Sequence, residues 1–496
     1  MTTAALSQAF ALLFDPYVMW VILASAAFGL FVGAIPGLTA TMATALLVPV
    51  TFFMPPVPAI ASIVTATAMA IFAGDIPSCL LRMPGTPASA AYTDEAYAMT
   101  KKGQGEVALG AGLVFSVIGG LFGTAVLIAA APLLAEIALK FSSFEYFWLV
   151  VLGLSSAVFL AIGNPLKGVV SLLLGLLVAS VGLDNPAAFP RFTFGSAELA
   201  GGLTLIPIMI GMFAVAEIIR NVSAMDQPWA MAQTKIGNIF HGMWDLTKRY
   251  PLAILRGSTL GTAIGALPGA GADIAAWMSY AMSKKFSKEP QKFGTGHVEG
   301  IVEAGASNNS ALAGAWIPAL VFGIPGDSIT AIVIGVLYVK GLNPGPTVFI
   351  DKVPEMYAIF LVFILANLIM IPLGVLAIRS AKHLLRAPRE VLMPIILLFC
   401  IVGSFAINNS IFGVVLMLVF GVVGYLMEEN GFPVAPAILG MVLGAMLEEH
   451  FISSMIKADG RLLGFVERPI AATLGALTIA VILWPALRSW TSRRRA

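Results

Sequence analysis

The residues able to do chemistry in this chain gather where a Pro–Gly pair interrupts an apolar run. Four such places stand out: Pro36-Gly37, Pro84-Gly85-Thr86-Pro87, Pro268-Gly269 and Pro325-Gly326-Asp327-Ser328. A helix that restarts after such a break presents unbonded N–H groups and the positive end of its dipole, a setting that suits a carboxylate. The carbonyls before the break, with side-chain oxygens nearby, suit a sodium ion. Small hydroxyls cluster there: Thr39, Thr41, Ser78, Thr86, Ser89, Ser328 and Thr330. Asp75, Asp273 and Asp327 are the acids closest to the breaks, and an acid deep in apolar surroundings is a candidate for ion or proton coupling. Gly37, Thr39, Asp75, Gly269, Asp273, Asp327 and Thr330 therefore form the expected ion-coupling set, with sodium and proton both open. Glu303 is an acid of the same kind. Ser307-Asn308-Asn309-Ser310 is the most polar run inside the uncharged stretch 304–326. Two adjacent amides at such depth are costly unless partnered, so they read either as ligand or ion groups or as interhelical hydrogen-bonding groups. A single break is better explained by a kink and close packing of small residues; four at related positions point to a site.

Other chemistries lack their residues. His241, His297, His383 and His450 show no HExxH or paired ligand spacing, and no GxxxxGK[ST] loop occurs. Cys79 and Cys400 read as small core residues. No catalytic residue, no metal site beyond possible Na+ and no bound cofactor is expected. Any work done draws on an ion gradient (Na+ or H+) or on another subunit. An intramembrane protease would need a serine–lysine, aspartate-pair or HExxH arrangement; Asp75 and Asp327 have no second motif beside them, so an enzyme is not expected.

The elements that position these groups follow from composition. Of 496 residues only 54 are Asp, Glu, Lys or Arg, or 11%, and 59% are hydrophobic; a soluble protein carries about a quarter charged residues. Residues 16–74 hold no charge, and the first basic residue is Arg82. Such a chain cannot cover a water-facing surface, and its net charge of +2 and two cysteines exclude a nucleic-acid binder and a disulfide scaffold. The fold class is an all-α polytopic membrane protein embedded in a lipid bilayer, with about 10–12 transmembrane segments plus broken or re-entrant hairpins. Uncharged stretches near the roughly 20 residues a crossing needs are 107–135, 146–166, 168–183, 199–216, 356–378, 391–427 (enough for two) and 469–487. Residues 16–74 hold three segments broken at Pro36-Gly37 and Pro55–Pro58, and 252–282 form another broken at Pro268-Gly269. Asn408-Asn409-Ser410 falls at a loop. No basic leader precedes the first segment, so a cleaved signal peptide is not expected. Threading the basic loops to one side places 20 of the 28 Lys and Arg inside and seven outside, with Arg82 in a hairpin; this predicts an outside N-terminus and a cytoplasmic C-terminus.

The two halves echo each other. Gly33-Ala-Ile-Pro-Gly37 returns as Gly265-Ala-Leu-Pro-Gly269, and Met83-Pro84-Gly85-Thr86 as Ile324-Pro325-Gly326-Asp327. Gly168-Val-Val returns at Gly413, and Pro207-Ile-Met-Ile-Gly211-Met returns as Pro436-Ala-Ile-Leu-Gly440-Met. The threading puts loop 136–143 outside and its counterpart 379–390 inside, so the repeat is expected to be inverted, the pattern of secondary transporters. The expected domains are a first transmembrane repeat at 1–225, a cytoplasmic amphipathic connector at 226–250, a second repeat at 251–460, and a final helix with a basic tail at 461–496.

These motifs resemble the TctA family, the large membrane subunit of tripartite tricarboxylate transporters. The resemblance is carried by Arg82-Met-Pro-Gly-Thr-Pro-Ala-Ser-Ala-Ala91 with Lys101-Lys-Gly-Gln104. In the second half it is carried by Gly265-Ala-Leu-Pro-Gly-Ala-Gly271, Lys292-Phe-Gly294, Asn308-Asn309, Gly323-Ile-Pro-Gly326 and Gly341-Leu-Asn-Pro-Gly-Pro346. Tyr92 and Asp327 depart from it, where the family often has threonine and a small residue. The resemblance implies a multi-pass permease of the bacterial inner membrane that takes up di- or tricarboxylates. Its implied partners are a small four-helix membrane subunit (TctB-like) and a periplasmic solute-binding protein (TctC-like) that delivers the carboxylate, with an ion gradient driving symport. Carried across, Gly85, Thr86 and Ser89 form a first hairpin tip, and Asn308, Asn309, Gly326 and Ser328 line a second; these seven are the expected substrate-binding set. An elevator-like movement of the hairpins follows by analogy with other broken-helix carriers. The alternative is a stand-alone carrier or channel for another small solute.

Overall fold

A chain this apolar satisfies its backbone by forming helix wherever proline and glycine permit. The computed structural model describes residues 3–160, 165–183, 189–223, 237–381, 385 and 389–493. Residues 226–236 of the expected connector and half of loop 379–390, with Lys235, Lys382, Arg386, Arg494 and Arg495, lie outside the described residues. Among the described residues every named element is helical, with no strand. Eight helices are long and apolar enough to cross a membrane, and six shorter apolar helices accompany them. The protein is a multi-pass helical membrane protein.

The first half begins with α1 (Thr3–Leu13), α2 (Pro16–Ala34), α3 (Ala40–Thr51) and α4 (Pro56–Ala73), the last continued by the short α5 (Asp75–Leu81). After a turn come α6 (Thr93–Lys101), α7 (Gly105–Ala138), α8 (Ser143–Leu160), α9 (Pro165–Ala179) and α10 (Leu205–Ser223). The second half runs through α11 (Pro251–Gly265), α12 (Gly271–Phe286), α13 (Val298–Phe322) and α14 (Ser328–Val339). It ends with α15 (Val353–Arg379), α16 (Arg389–Asn408), α17 (Ile411–Glu429), α18 (Val434–Lys457) and α19 (Pro469–Arg493).

The breaks fall where proline and glycine stand. At the first, the Leu38 N–H donates to the Ile35 carbonyl (3.1 Å) around Pro36-Gly37, and Gly37 has φ +87°. At the third, the Ala270 N–H donates to the Leu267 carbonyl (3.1 Å) around Pro268-Gly269, and Gly269 has φ +82°. Proline before a glycine of positive φ is what this turn needs, because a side chain at the second position would be strained. Helix α5 ends on Arg82 and α13 on Gly323, both left-handed (φ 57° and 68°), with cap N–H groups bonded to the Pro77 and Pro318 carbonyls. The stretch expected to hold two helices at 391–427 divides at Asn409, which is also left-handed.

Close packing repeats as the turns do. A lipid-facing chain gains little from burying more apolar surface, so helices associate where small residues let backbones approach. Gly29 and Gly33 of α2 lie directly against the Ala66 and Ala70 carbonyls of α4. Gly261 and Gly265 of α11 lie against the Ser307 and Ala311 carbonyls of α13. The hairpin glycines follow suit: Gly85 sits on Gly33 and Gly74, and Gly326 on Gly265 and Ala315. Helices α4 and α13, each buried along almost its whole length, form the centre. Farther out the halves exchange partners. Gly440 of α18 packs on Leu172 and Leu176 of α9, while Gly211 of α10 packs on Met417 and Gly421 of α17. Gly119 and Gly123 of α7 likewise let that helix touch the Ala306 and Ser310 backbone of α13.

A Cβ at Gly265 would collide with the Ala311 carbonyl, whereas at Gly305 the nearest neighbour is the Gly112 oxygen at 4.0 Å. Gly265→Ala is therefore expected to destabilise by about 1–3 kcal/mol, the usual cost of overpacking. Gly305→Ala should melt close to the parent protein when both are heated in detergent.

Candidate functional site

Four interrupted segments converge on one cavity of about 410 Å³. Its wall takes Thr39, Ala40 and Thr41 from the first break, Thr86, Pro87 and Ala88 from the second, Gly269–Asp273 from the third, and Asp327 with Ser328 from the fourth. Helix α10 adds Met212, Phe213, Glu217 and Arg220; α17 adds Glu428, and the start of α18 adds Val434–Pro436. Three helices, α3, α12 and α14, begin at this wall. The positive ends of their dipoles and the N–H groups of their first turns are thus turned on a shared volume. That volume falls in the range of small-ligand sites.

The first turns differ in what they leave open. Thr39 caps α3, its hydroxyl accepting from the Met42 N–H at 3.1 Å. Asp327 caps α14 in a reciprocal box: its carboxylate accepts from the Thr330 N–H (2.8 Å), while the Thr330 hydroxyl accepts from the Asp327 N–H (2.9 Å). Helix α12 begins at Gly271 without a side-chain cap. Asp273 stands in its first turn, on the wall it shares with Asp327. The third and fourth breaks are joined directly, the Gly269 N–H donating to the Gly326 carbonyl at 2.8 Å.

Half of the fourteen residues singled out by the sequence line this cavity. They are Thr39, Thr86, Gly269, Asp273, Asn308, Asp327 and Ser328. The other seven stand behind it. Gly37 turns the chain, and its carbonyl accepts from the Asn221 amide at 2.9 Å. Gly85 and Gly326 are packed against neighbouring backbone. Ser89 braces the second break, its hydroxyl accepting from the Thr86 N–H at 3.1 Å. Thr330 serves the Asp327 cap. Asp75 is buried, with one carboxylate oxygen accepting from the Tyr92 hydroxyl at 2.6 Å. Asn309 turns away toward α15, its amide reaching Asn367 Oδ1 at 3.5 Å.

Asn308 takes the opposite direction from Asn309. It is 1% exposed, lines the cavity, and its amide makes no hydrogen bond of ordinary geometry. The group lies beside the Tyr92 hydroxyl. A buried amide without firm partners costs free energy that a bound ligand can recover. Glu303, the remaining acid, is fully buried and paired with Arg256 (Nε to Oε1 2.6 Å) between α11 and α13, away from the cavity wall.

Sequence reasoning missed the charged side of the wall. Glu217, Arg220 and Glu428 meet there: Arg220 Nη1 donates to Glu217 Oε2 at 2.6 Å, and Nη2 donates to Glu428. The i, i+3 spacing of Glu217 and Arg220 was visible; the arrival of Glu428 from 208 residues away was not. Also missed was the π-helical stretch Ile210–Val215, which carries Met212 and Phe213 onto the wall. Such wide turns are frequent at functional sites.

Known proteins resemble the chain over most of its length. A family model described as "Tripartite tricarboxylate transporter TctA family" matches residues 19–439. An Agrobacterium vitis protein, "Uncharacterized 52.8 kDa protein in TAR-I ttuC' 3'region", is 35% identical over 466 residues, covering 94% of this chain and 92% of that protein. A second from the same organism, "Uncharacterized protein in TAR-II ttuC' 3'region", is 35% identical over 232 residues, 46% of this chain and 96% of its own. No solved structure matches the chain significantly.

The Asp327 cap separates two roles of one carboxylate. Asp327→Ala should cost about 1 kcal/mol by loss of the N-cap, measured as a lower melting temperature in detergent. Asp327→Ser keeps an acceptor there and should melt near the parent value.

Proposed function

The chain belongs to the tripartite tricarboxylate transporter TctA family, and from that premise we propose that it moves an organic carboxylate of the di- or tricarboxylate class through the 410 Å³ cavity. In this reading a periplasmic solute-binding protein delivers the carboxylate and a small four-helix subunit accompanies the chain. A Na+ or H+ gradient drives uptake across the bacterial inner membrane.

The observation that carries the reading is the convergence of three helix starts on one wall that also holds Thr86, Asn308 and Ser328. Backbone N–H groups at helix starts bind a carboxylate without a dedicated cation, which suits a chain with so few charges. Four acids on the same wall, Glu217, Asp273, Asp327 and Glu428, supply oxygens for a coupling ion and make the cavity unfavourable for an anion travelling alone. Coupling follows from that balance: the cation must enter for the anion to be held.

Orientation follows from charge. Arg220 and Glu428 stand near the ends of α10 and α17, which the distribution of Lys and Arg predicts to be cytoplasmic. The halves 1–225 and 251–460 act as two repeats of opposite orientation, and transport consists of the hairpin tips at Gly85 and Gly326 moving against the remaining helices.

Proteoliposomes loaded with this chain and its small subunit test the reading, with labelled citrate and succinate as probes. Uptake is expected only with a binding protein encoded beside the chain and an inward Na+ or H+ gradient. Undiminished uptake without that protein would favour a stand-alone carrier. Thr86→Ala and Asn308→Ala should each lower uptake about tenfold, the worth of one lost hydrogen bond, with membrane expression unchanged. Asn309→Ala, facing Asn367, should affect uptake less than either.

A further inference from the structure

Among the described residues Arg220 is the one basic side chain on a wall that also carries four acids. One of those acids, Asp327, is engaged in the α14 cap, and Asp273 belongs to the first turn of α12. The other two share Arg220, and they hold it unequally. Glu217 lies on the same helix and is only 12% exposed. One of its oxygens takes Arg220 Nη1, and the other takes the Asn221 amide at 3.2 Å. Glu428 comes from the far end of α17, is 35% exposed, and its carboxylate bonds Arg220 Nη2. No second partner of that carboxylate is found among the described residues.

We propose that Arg220 is the residue of the cavity that binds a substrate carboxylate, and that Glu428 occupies its place until the substrate arrives. The inference rests on the carboxylate reading above and names the side chain that reading lacks. The guanidinium is a planar fork suited to two carboxylate oxygens, so a substrate carboxylate replaces Glu428 without altering the geometry of the bond. Exposed ion pairs are weak, so Glu428 is readily displaced. Glu217 stays, because Asn221 holds its second oxygen and the shared helix fixes its distance. Arg220 is also tied to the machinery of the first break. The adjacent Asn221 donates to the Gly37 carbonyl at 2.9 Å, so the helix end carrying the cation moves with the Pro36-Gly37 turn. Displacing Glu428 removes the Arg220 link between α10 and α17 while leaving the link from α10 to that turn intact. Binding of substrate thereby loosens one contact across the cavity mouth and preserves the other.

Calorimetric titration of the purified chain in detergent with citrate, succinate and malate tests this. Glu428→Gln removes the competing charge and should tighten binding of at least one acid about tenfold. Arg220→Gln should weaken it by about the same factor or more, and Arg220→Lys should fall between Gln and the parent because it keeps the charge and loses the fork. A gain of affinity in Glu428→Gln cannot come from misfolding, which protects the test from a fragile Arg220 variant. Unchanged binding in Arg220→Gln, or unchanged or weaker binding in Glu428→Gln, would overturn the assignment and leave the carboxylate reading standing. Absence of binding to all three acids in both the parent and Glu428→Gln would overturn both.

Discussion

Backbone groups cannot be left unbonded in hydrocarbon, and each interrupted helix of this chain exists under that constraint. Every break releases N–H and C=O groups that a continuous helix would have paired. The structure answers locally where it can: the turns at Pro36-Gly37 and Pro268-Gly269 close on themselves, and the Gly85 and Gly269 N–H groups bond to the Gly74 and Gly326 carbonyls. What local bonding does not consume is directed at the cavity. The cavity thus lies where helices restart, and its wall includes the first turns of α3, α12 and α14.

That solution requires backbone to approach backbone. Gly85 can reach Gly33 and Gly74, and Gly326 can reach Gly265 and Ala315, because none of the positions involved carries more than a methyl group. Replacing glycine by a larger residue at α2, α11 or either hairpin would push the breaks apart and strand the groups they satisfy. The density of small residues in α4 and α13 thus serves the cavity as much as the packing. The Glu95 carboxylate does equivalent work at the edge. It accepts from the Tyr280 hydroxyl (2.8 Å) and from the N–H groups of Gly294, Gly296 (2.6 Å) and His297 (2.8 Å), fixing the loop before α13 to the first-half hairpin.

The breaks were legible in the sequence because proline and glycine write them directly, and the pairing of positions such as Gly33 with Gly265 was legible because the same backbone geometry needs the same residue twice. Helix versus loop was equally plain at Asn409, where two adjacent amides and a serine interrupt an apolar run. Direction was not legible. Asn308 and Asn309 are neighbours on α13, and successive residues of a helix point about 100° apart; which one meets the cavity depends on how α13 is rotated against α7 and α15. The role of Glu95 left no local trace, since its partners are some 200 residues away. The same holds for Glu428, whose position at the end of α17 reads as an ordinary hydrated helix terminus until α10 is placed beside it.

Scarcity of charge gives the cavity its logic. Of 54 charged residues in the chain, five face this wall, and their bonds sort them by how tightly they are held. Asp327 is locked into a helix cap and Asp273 belongs to the first turn of α12, so both move only with their helices. Glu217 and Arg220 sit on one helix turn and stay together whatever that helix does. Glu428 alone is joined to the wall from another helix by a half-exposed ion pair. A wall lined by four acids and one guanidinium favours a cation over an anion entering alone. Where one of those acids is exchangeable, an entering carboxylate can take its place on the guanidinium. On the proposed reading the charge that the substrate adds is what a coupling cation has to balance, and Arg220 decides only where one of its carboxylates is held.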